Sequence, residues 1–149
     1  MSIANQEHPQ IRTAPSVTGI HHAGLTVRDI DASEQWYSRV LGLSRAFVEP
    51  HDNDTGYAVV MTRPGTSLFL GLDHHGDADL EMFSESRTGL DHLSFRVDSR
   101  VEIDAWAAHL DSLGVSRAPV HEVAEPVRYA LIVFRDLDGI QLELMWFDA

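Results

Sequence analysis

The chain has 149 residues, 44% of them hydrophobic, and a formal net charge of −12. This length suits one domain or two small halves that share a core. The negative charge argues against nucleic-acid binding, because phosphate contacts require a basic surface. The sequence contains no cysteine, which excludes disulfides and thiolate chemistry, and no apolar run approaches the roughly 18 residues of a membrane span. We therefore expect a cytoplasmic protein that binds neither nucleic acid nor membrane, with a cysteine-free secreted protein as the alternative.

One stretch of sequence occurs twice. It runs from Ile20 to Gly42, and its second copy runs from Leu90 to Gly114, so that His22 and His92 hold equivalent positions. Each copy has the alternation of a strand, then a short acidic turn, then helical spacing that ends at glycine. Two such copies predict an internal duplication.

The duplication predicts an α+β fold made of two tandem β-α-β-β-β modules that form a curved mixed sheet. We divide the chain into an N-terminal arm (residues 1–16), a first module (17–72), a linker (73–88) and a second module (89–149). The arm is either loose or crosses onto a second subunit. After each helix we expect three strands, near residues 45–49, 56–62 and 66–72 in the first module and 115–119, 129–135 and 140–146 in the second.

Two segments between the strands are rich in histidine and aspartate. The linker is acidic and contains His74 and His75; these could add a ligand from a loop, although a solvated turn is the preferred interpretation. His51, Asp52 and Asp54 are interpreted as a hydrated loop.

Strand alternation places three metal-binding side chains on one predicted face. In the first strand, His22 shares a face with Gly24 and Thr26, opposite an apolar face. His92 has the equivalent position in the second copy, and Glu143 lies on the polar face of the last strand. If the helices cover the outside of the sheet, all three donors line its concave side. Two imidazoles and one carboxylate form a facial triad that leaves coordination positions open for substrate; for each residue alone, an ordinary polar side chain is the alternative.

The same face carries residues that could contact a ligand. Thr26, Phe69 and Met145 are predicted to shape an apolar cavity. Arg96 is predicted either to pair with Glu143 or to hold an anionic substrate.

Three pieces of the sequence together carry a family resemblance. In chain order they are GIHHAGLTVRDIDASEQWYSRVLGL, GLDHLSFRV and FRDLDGIQLELMW. The chain, essentially from Val17 to Phe147, resembles the vicinal oxygen chelate superfamily, which includes glyoxalase I, extradiol dioxygenases and bleomycin-resistance proteins. The family's ligands are a histidine on the first strand of each half and an acidic residue on each last strand. The resemblance places them at His22, His92 and Glu143.

At the fourth ligand position the sequence departs from the glyoxalase pattern. Aligning the turn glycines of the two halves puts Phe69 opposite Glu143, and phenylalanine cannot coordinate a metal. The remaining His-His-Glu set is more similar to the iron or manganese site of extradiol dioxygenases. Those enzymes also use acid–base His and Tyr residues, for which His121 and Tyr129 are candidates, with loop and strand-surface roles as the alternative.

The resemblance implies a metal-dependent enzyme, a dioxygenase or a lyase or isomerase, that chelates a small oxygen-bearing substrate. Glu143 would be both ligand and catalytic residue, and Tyr129 would bind substrate. The cofactor would be a divalent ion (Fe, Mn, Ni or Zn). The alternatives are a drug-sequestering antibiotic resistance protein without catalysis, and a structural or regulatory relic of the fold. A homodimer is expected, in which His22 shares the ion with His92 and Glu143 of the partner subunit, unless both halves of one chain close on each other.

Overall fold

The computed structural model describes residues 14–78 and 81–148. Most of the expected N-terminal arm therefore lies outside the described residues. The described chain forms two four-stranded mixed sheets, each with one long helix, which confirms the predicted α+β class. Neither of these two helices is long and apolar enough to cross a membrane.

The two halves have the same topology. The first contains β1 (Ala23–Thr26), α1 (Ile30–Leu41), β2 (Ser44–Pro50), β3 (Gly56–Thr62) and β4 (Phe69–His75), with strand order β1-β4-β3-β2. The second contains β5 (Leu93–Arg96), α2 (Arg100–Ser112), β6 (His121–Val123), β7 (Tyr129–Arg135) and β8 (Gln141–Phe147), with strand order β5-β8-β7-β6. In each sheet the first strand runs parallel to the last and the other pairs are antiparallel.

Two strands differ from the sequence prediction. The strand expected near residues 115–119 is a single bridge between Arg117 and Phe134, and the regular strand β6 begins only at His121. In the first half, β4 begins at Phe69 and continues to His75, three residues beyond the boundary predicted for the module. It continues because it pairs with β1 as far as Asp73 and with β3 as far as His75.

The two halves share one hydrophobic core. Trp36 of α1 lies against Phe134 of β7, with ring centroids 6.3 Å apart, and the buried apolar residues of both halves form one cluster. The connection before β4 packs on the opposite helix, where the Arg63 guanidinium lies 5.5 Å from the ring centroid of Trp106. Burial of this shared surface fixes the two sheets relative to each other.

A buried carboxylate at the turn before β8 joins the two halves. Asp136 accepts hydrogen bonds from the Tyr37 hydroxyl at 2.8 Å and from the backbone N–H groups of Asp138 and Ile140 at 2.9 and 2.8 Å. Burial raises the pKa of Asp136 although these bonds act in the opposite direction, and burial together with the neighbouring carboxylate raises the pKa of Tyr37. Asp138 in turn accepts hydrogen bonds from the backbone N–H and the guanidinium group of Arg28.

We predict that Tyr37→Phe lowers the free energy of unfolding by about 1–3 kcal/mol, because one oxygen of Asp136 would lose its donor inside the core. Asp136→Asn is the matched variant. Its amide has the same shape, keeps an acceptor for the two backbone N–H groups and can donate to the tyrosine oxygen, so a smaller loss is expected.

Asp136→Asn should also change how the stability of the protein depends on pH. A carboxyl whose pKa is raised by folding stabilises the fold fully below its unfolded-state pKa, and this contribution is lost as pH rises through the folded-state pKa. The stability of Asp136→Asn relative to the unmutated protein should therefore improve as the pH rises from about 4, near the pKa of an unfolded aspartate, toward neutrality. Urea unfolding across this range measures it, and a constant or falling difference would contradict the assignment.

Candidate metal-binding sites on the open faces of the sheets

Each sheet has one face covered by its helix and one face that no helix of the same half covers, here called the open face. Leu70 and Leu72 of β4 are buried on the covered side, as are Leu142 and Leu144 of β8. Because side chains alternate along a strand, the odd-numbered residues of both strands lie on the open face. Those residues are Phe69, Gly71, Asp73 and His75 in β4, and Gln141, Glu143 and Met145 in β8.

The strand register corrects the alignment of the two halves. Gly24 of β1 is paired with Gly71, and Ser94 of β5 is paired with Glu143. The counterpart of Glu143 is therefore Gly71, and the assignment of Phe69 to this position was wrong by two residues. The turn glycines misled the alignment because the connection between turn and strand is longer in the first half. Gly71 has no carboxylate either, so the first half still lacks a counterpart of the Glu143 ligand, as the sequence predicted.

Both histidines of the predicted triad lie at the start of a terminal strand. His22 immediately precedes β1 and His92 immediately precedes β5, and both are exposed. The Nδ1 atom of His22 lies 3.0 Å from Nδ1 of His21. The Nδ1 atom of His92 lies 2.7 Å from a carboxylate oxygen of Asp91. The two imidazoles thus have equivalent positions in the two halves.

Glu143 lies on the open face of the second sheet. Its Oε1 accepts a hydrogen bond of 2.7 Å from the Ser94 hydroxyl, and it forms no ion pair with any side chain in residues 14–78 and 81–148. Within one chain, the donor atoms of Glu143, His22 and His92 do not all lie within 4.8 Å of one another. Among the described residues, a different group of three donors meets that distance. The ligand set His22, His92 and Glu143 therefore stays a prediction.

A cavity of about 710 Å³ is lined by the terminal strands of both sheets. His22, Phe69, Ser94 and Arg96 contribute to its wall together with Trp106. This volume is typical of sites for small organic ligands. The cavity therefore contains two of the predicted substrate-binding residues, Phe69 and Arg96.

The other residues expected to contact a ligand lie outside that cavity. Thr26, Tyr129 and Met145 are placed on the open faces by their strand registers. The Arg96 side chain is 86% exposed, and its nearest acidic partner is Asp98 at 4.0 Å rather than Glu143. Its guanidinium is therefore available to an anionic group.

The cluster that the structure does bring together is His51, Asp73 and His75. His51 Nε2 lies 3.0 Å from Asp73 Oδ1, and the rings of His51 and His75 have centroids 4.7 Å apart. All three side chains are half-buried. The cluster was not predicted from the sequence, because the strand was expected to end at Leu72 and His51 was interpreted as part of a hydrated loop. A strand extended to His75 would have placed Asp73 and His75 on one face.

Three glycines make room for this cluster. A Cβ atom at Gly24 or Gly71 would lie 2.9 or 3.1 Å from Asp73 Oδ2, so the carboxylate occupies space that these positions leave free. A Cβ atom at Gly56 would lie 1.9 Å from the carbonyl oxygen of His74 and 3.0 Å from Nδ1 of His51. Gly56 thus allows the close approach of β3 and β4 where the two histidines meet.

The chain is similar to known proteins in both sequence and fold. The family model described as Glyoxalase/Bleomycin resistance protein/Dioxygenase superfamily matches residues 19–144. A solved glyoxylase/bleomycin resistance protein/dioxygenase domain from Frankia sp. EAN1pec is 34% identical with a TM-score of 0.77, over 89% of this chain and 100% of that chain. No curated protein matches the sequence significantly.

More distant structures share the fold. The fosfomycin resistance protein FosX from Listeria monocytogenes, solved with Mn(II) and sulfate, is 17% identical with a TM-score of 0.61, over 88% of this chain and 93% of that chain. Lactoylglutathione lyase from Agrobacterium tumefaciens is 20% identical with a TM-score of 0.64, over 89% and 96% of the two chains. At these identities the likeness concerns the fold alone.

We predict that Gly56→Ala destabilises the protein by about 1–3 kcal/mol, because the added methyl group would force β3 away from β4. Gly76→Ala is the matched control, since its Cβ would lie 3.7 Å from the nearest atom, an ordinary contact. Urea unfolding of both variants measures the difference. Equal stabilities would contradict the close strand approach.

Proposed function

Because the chain belongs to the Glyoxalase/Bleomycin resistance protein/Dioxygenase superfamily, we propose that it is a metal-dependent enzyme of the glyoxalase or dioxygenase type acting on a small oxygen-bearing molecule. The ion would be held by His22, His92 and Glu143, and it would be iron, manganese, nickel or zinc. A divalent ion in such a site supplies Lewis acidity toward substrate oxygens. We also propose a cytoplasmic location.

Two observations support the proposal together: the equivalent placement of the two histidines, and a Glu143 carboxylate that has no cationic partner among the described residues. His22 and His92 precede the equivalent strands of two identical topologies. Within the described part of the chain, Glu143 is bonded only through Oε1, to Ser94, so Oε2 remains for an ion. Imidazole nitrogens and one carboxylate suit divalent iron, manganese, nickel or zinc while leaving positions open.

The residues around the donors have separate roles in this proposal. Ser94 orients the carboxylate of Glu143 through its hydroxyl hydrogen bond. Arg96 binds an anionic oxygen of the substrate, and Phe69 forms an apolar wall of the cavity. We propose the catalytic role for Glu143, whose carboxylate would hold the ion and could accept a proton from the substrate.

A homodimer would complete the site. The three donors are not gathered in one chain, and β1 and β5 are terminal strands whose outer edges remain unpaired within their sheets. Unpaired edges favour association with another chain. His22 of one protomer would then meet His92 and Glu143 of its partner, which needs the isologous contact of a two-fold dimer.

Drug sequestration without catalysis is the second candidate. The cavity includes the aromatic side chains of Phe69, Phe95 and Trp106, and the net charge of −12 favours a cationic ligand. In that case the protein would bind an aromatic or cationic antibiotic one to one and return it unchanged. Metal that is lost on Glu143→Gln separates the two candidates, because sequestration requires no ion at that residue.

We predict that protein purified without chelator contains a divalent metal at His22, His92 and Glu143, and that Glu143→Gln lowers its affinity on the order of 100-fold. Gln141→Glu is the matched control, since this residue lies two positions away on the same face of β8. Elemental analysis and calorimetric titration with Mn²⁺ provide the measurement. Undiminished affinity in Glu143→Gln would exclude Glu143 as a ligand.

Subunit mixing tests whether the site is shared. In a homodimer of His22→Ala or of Glu143→Gln, both of the proposed shared sites lack one ligand. A heterodimer of the two variants retains one intact site if His22 comes from one chain and Glu143 from the other. Unfolding and refolding an equal mixture should restore roughly one quarter of the sites. Restoration of none, with dimers present, would exclude a site that is shared between two chains in this way.

A further inference from the structure

The cluster of His51, Asp73 and His75 is built by backbone geometry rather than by flexible loops. Asp73 and His75 are two residues apart on β4 and therefore lie on the same face. His51 is brought to them by the β2–β3 hairpin, which is closed by a hydrogen bond of 2.9 Å from the N–H of His51 to the carbonyl of Gly56. Gly56 is paired with His75 in the antiparallel register. All three donors thus stand on paired strands or on the closed end of a hairpin.

The spacing of the donor atoms approaches that of a coordination sphere. One nitrogen or oxygen from each residue lies within 4.8 Å of the others, and the His51 and Asp73 atoms are 3.0 Å apart. Ligands bound at about 2.1 Å in a tetrahedral site are separated by about 3.4 Å. Small side-chain rotations would therefore suffice to close the group around an ion.

An ordinary ion pair explains only part of this arrangement. A hydrogen bond from His51 Nε2 would satisfy Asp73 at 3.0 Å, yet the ring of His75 is also packed beside that of His51. The absence of a Cβ at Gly24 and Gly71 leaves the space that Oδ2 of Asp73 occupies, so the carboxylate is accommodated on this face of the sheet. The His51 and Asp73 side chains keep 19% and 21% exposure, which leaves a path for a solvated ion.

We propose that His51, Asp73 and His75 form a second metal-binding site, contained within the first half of each chain. It lies on the open face of the first sheet and uses none of the three ligands proposed for the enzyme. Two imidazoles and one carboxylate favour transition-metal ions of the Zn²⁺, Co²⁺ and Ni²⁺ class over Mg²⁺ or Ca²⁺. The ion would tie the β2–β3 hairpin to β4 and leave coordination positions open to water or to an oxygen-bearing ligand.

The test uses the full chain with Glu143→Gln, so that ions at the proposed enzyme site do not obscure the result. After removal of metal with chelator and dialysis, Co²⁺ is titrated and followed by calorimetry and by its visible absorption. We expect one Co²⁺ per chain with nitrogen and oxygen ligation. Adding Asp73→Asn or His75→Gln should weaken binding on the order of 100-fold or more.

His74→Gln in the same background is the matched control. His74 is the neighbour of both ligands on β4, but its side chain points to the other face, where its ring lies 5.4 Å from that of Tyr57. Its replacement should leave the Co²⁺ affinity unchanged. Equal affinities in the His74, His75 and Asp73 variants, or no Co²⁺ bound by the background protein, would overturn the proposal.

A measurement on the background protein alone covers the case in which a ligand variant fails to fold. Zn²⁺ should shift the imidazole ¹⁵N resonances of His51 and His75 and leave that of His74 in place. Shifts confined to other histidines would overturn the site. The proposed enzyme site is tested separately. If it does not exist, the unmutated protein and Glu143→Gln will contain equal amounts of metal.

Discussion

The alternation of side chains across each strand is the constraint on which the structure depends. In both sheets one face is covered by a helix and carries the leucines of β4 and β8. The polar residues Asp73, His75, Gln141 and Glu143 are consequently directed to the other face. The same geometry that builds the core therefore concentrates imidazoles and carboxylates on two open faces. Shifting either strand by one residue would bury the donors and expose the leucines together.

The relative position of the two open faces is set by the core between the halves. Asp136 and Tyr37 join the turn before β8 to α1, and Arg28 binds Asp138 of the same turn. A buried network of this kind specifies one arrangement, because a misplaced half would leave its polar groups unsatisfied. These contacts include none of the proposed ligands, yet they help to determine where the terminal strands β1 and β5 stand. Stability and the geometry of the proposed site are therefore linked.

The sequence predicted the features that depend on local pattern. The repeated histidines, the alternation of each strand and the helices ending at glycine predicted the duplicated α+β topology, which the fold confirms. The register between β1 and β4 was not predictable from the turn glycines, since the extra residues before β4 leave no local trace. The cluster at His51, Asp73 and His75 depends on a hairpin meeting a strand 22 residues later. Such proximity is a property of tertiary pairing, which single-sequence periodicity does not report.

The central claim is that two equivalent histidines and one glutamate hold a catalytic ion on the open face of the second sheet. Diffraction at the manganese absorption edge from crystals grown with Mn²⁺ tests it most directly. The account predicts an anomalous peak in contact with imidazole nitrogens of His22 and His92 and with the carboxylate of Glu143. Peaks only elsewhere, with these three side chains directed into solvent, would contradict it.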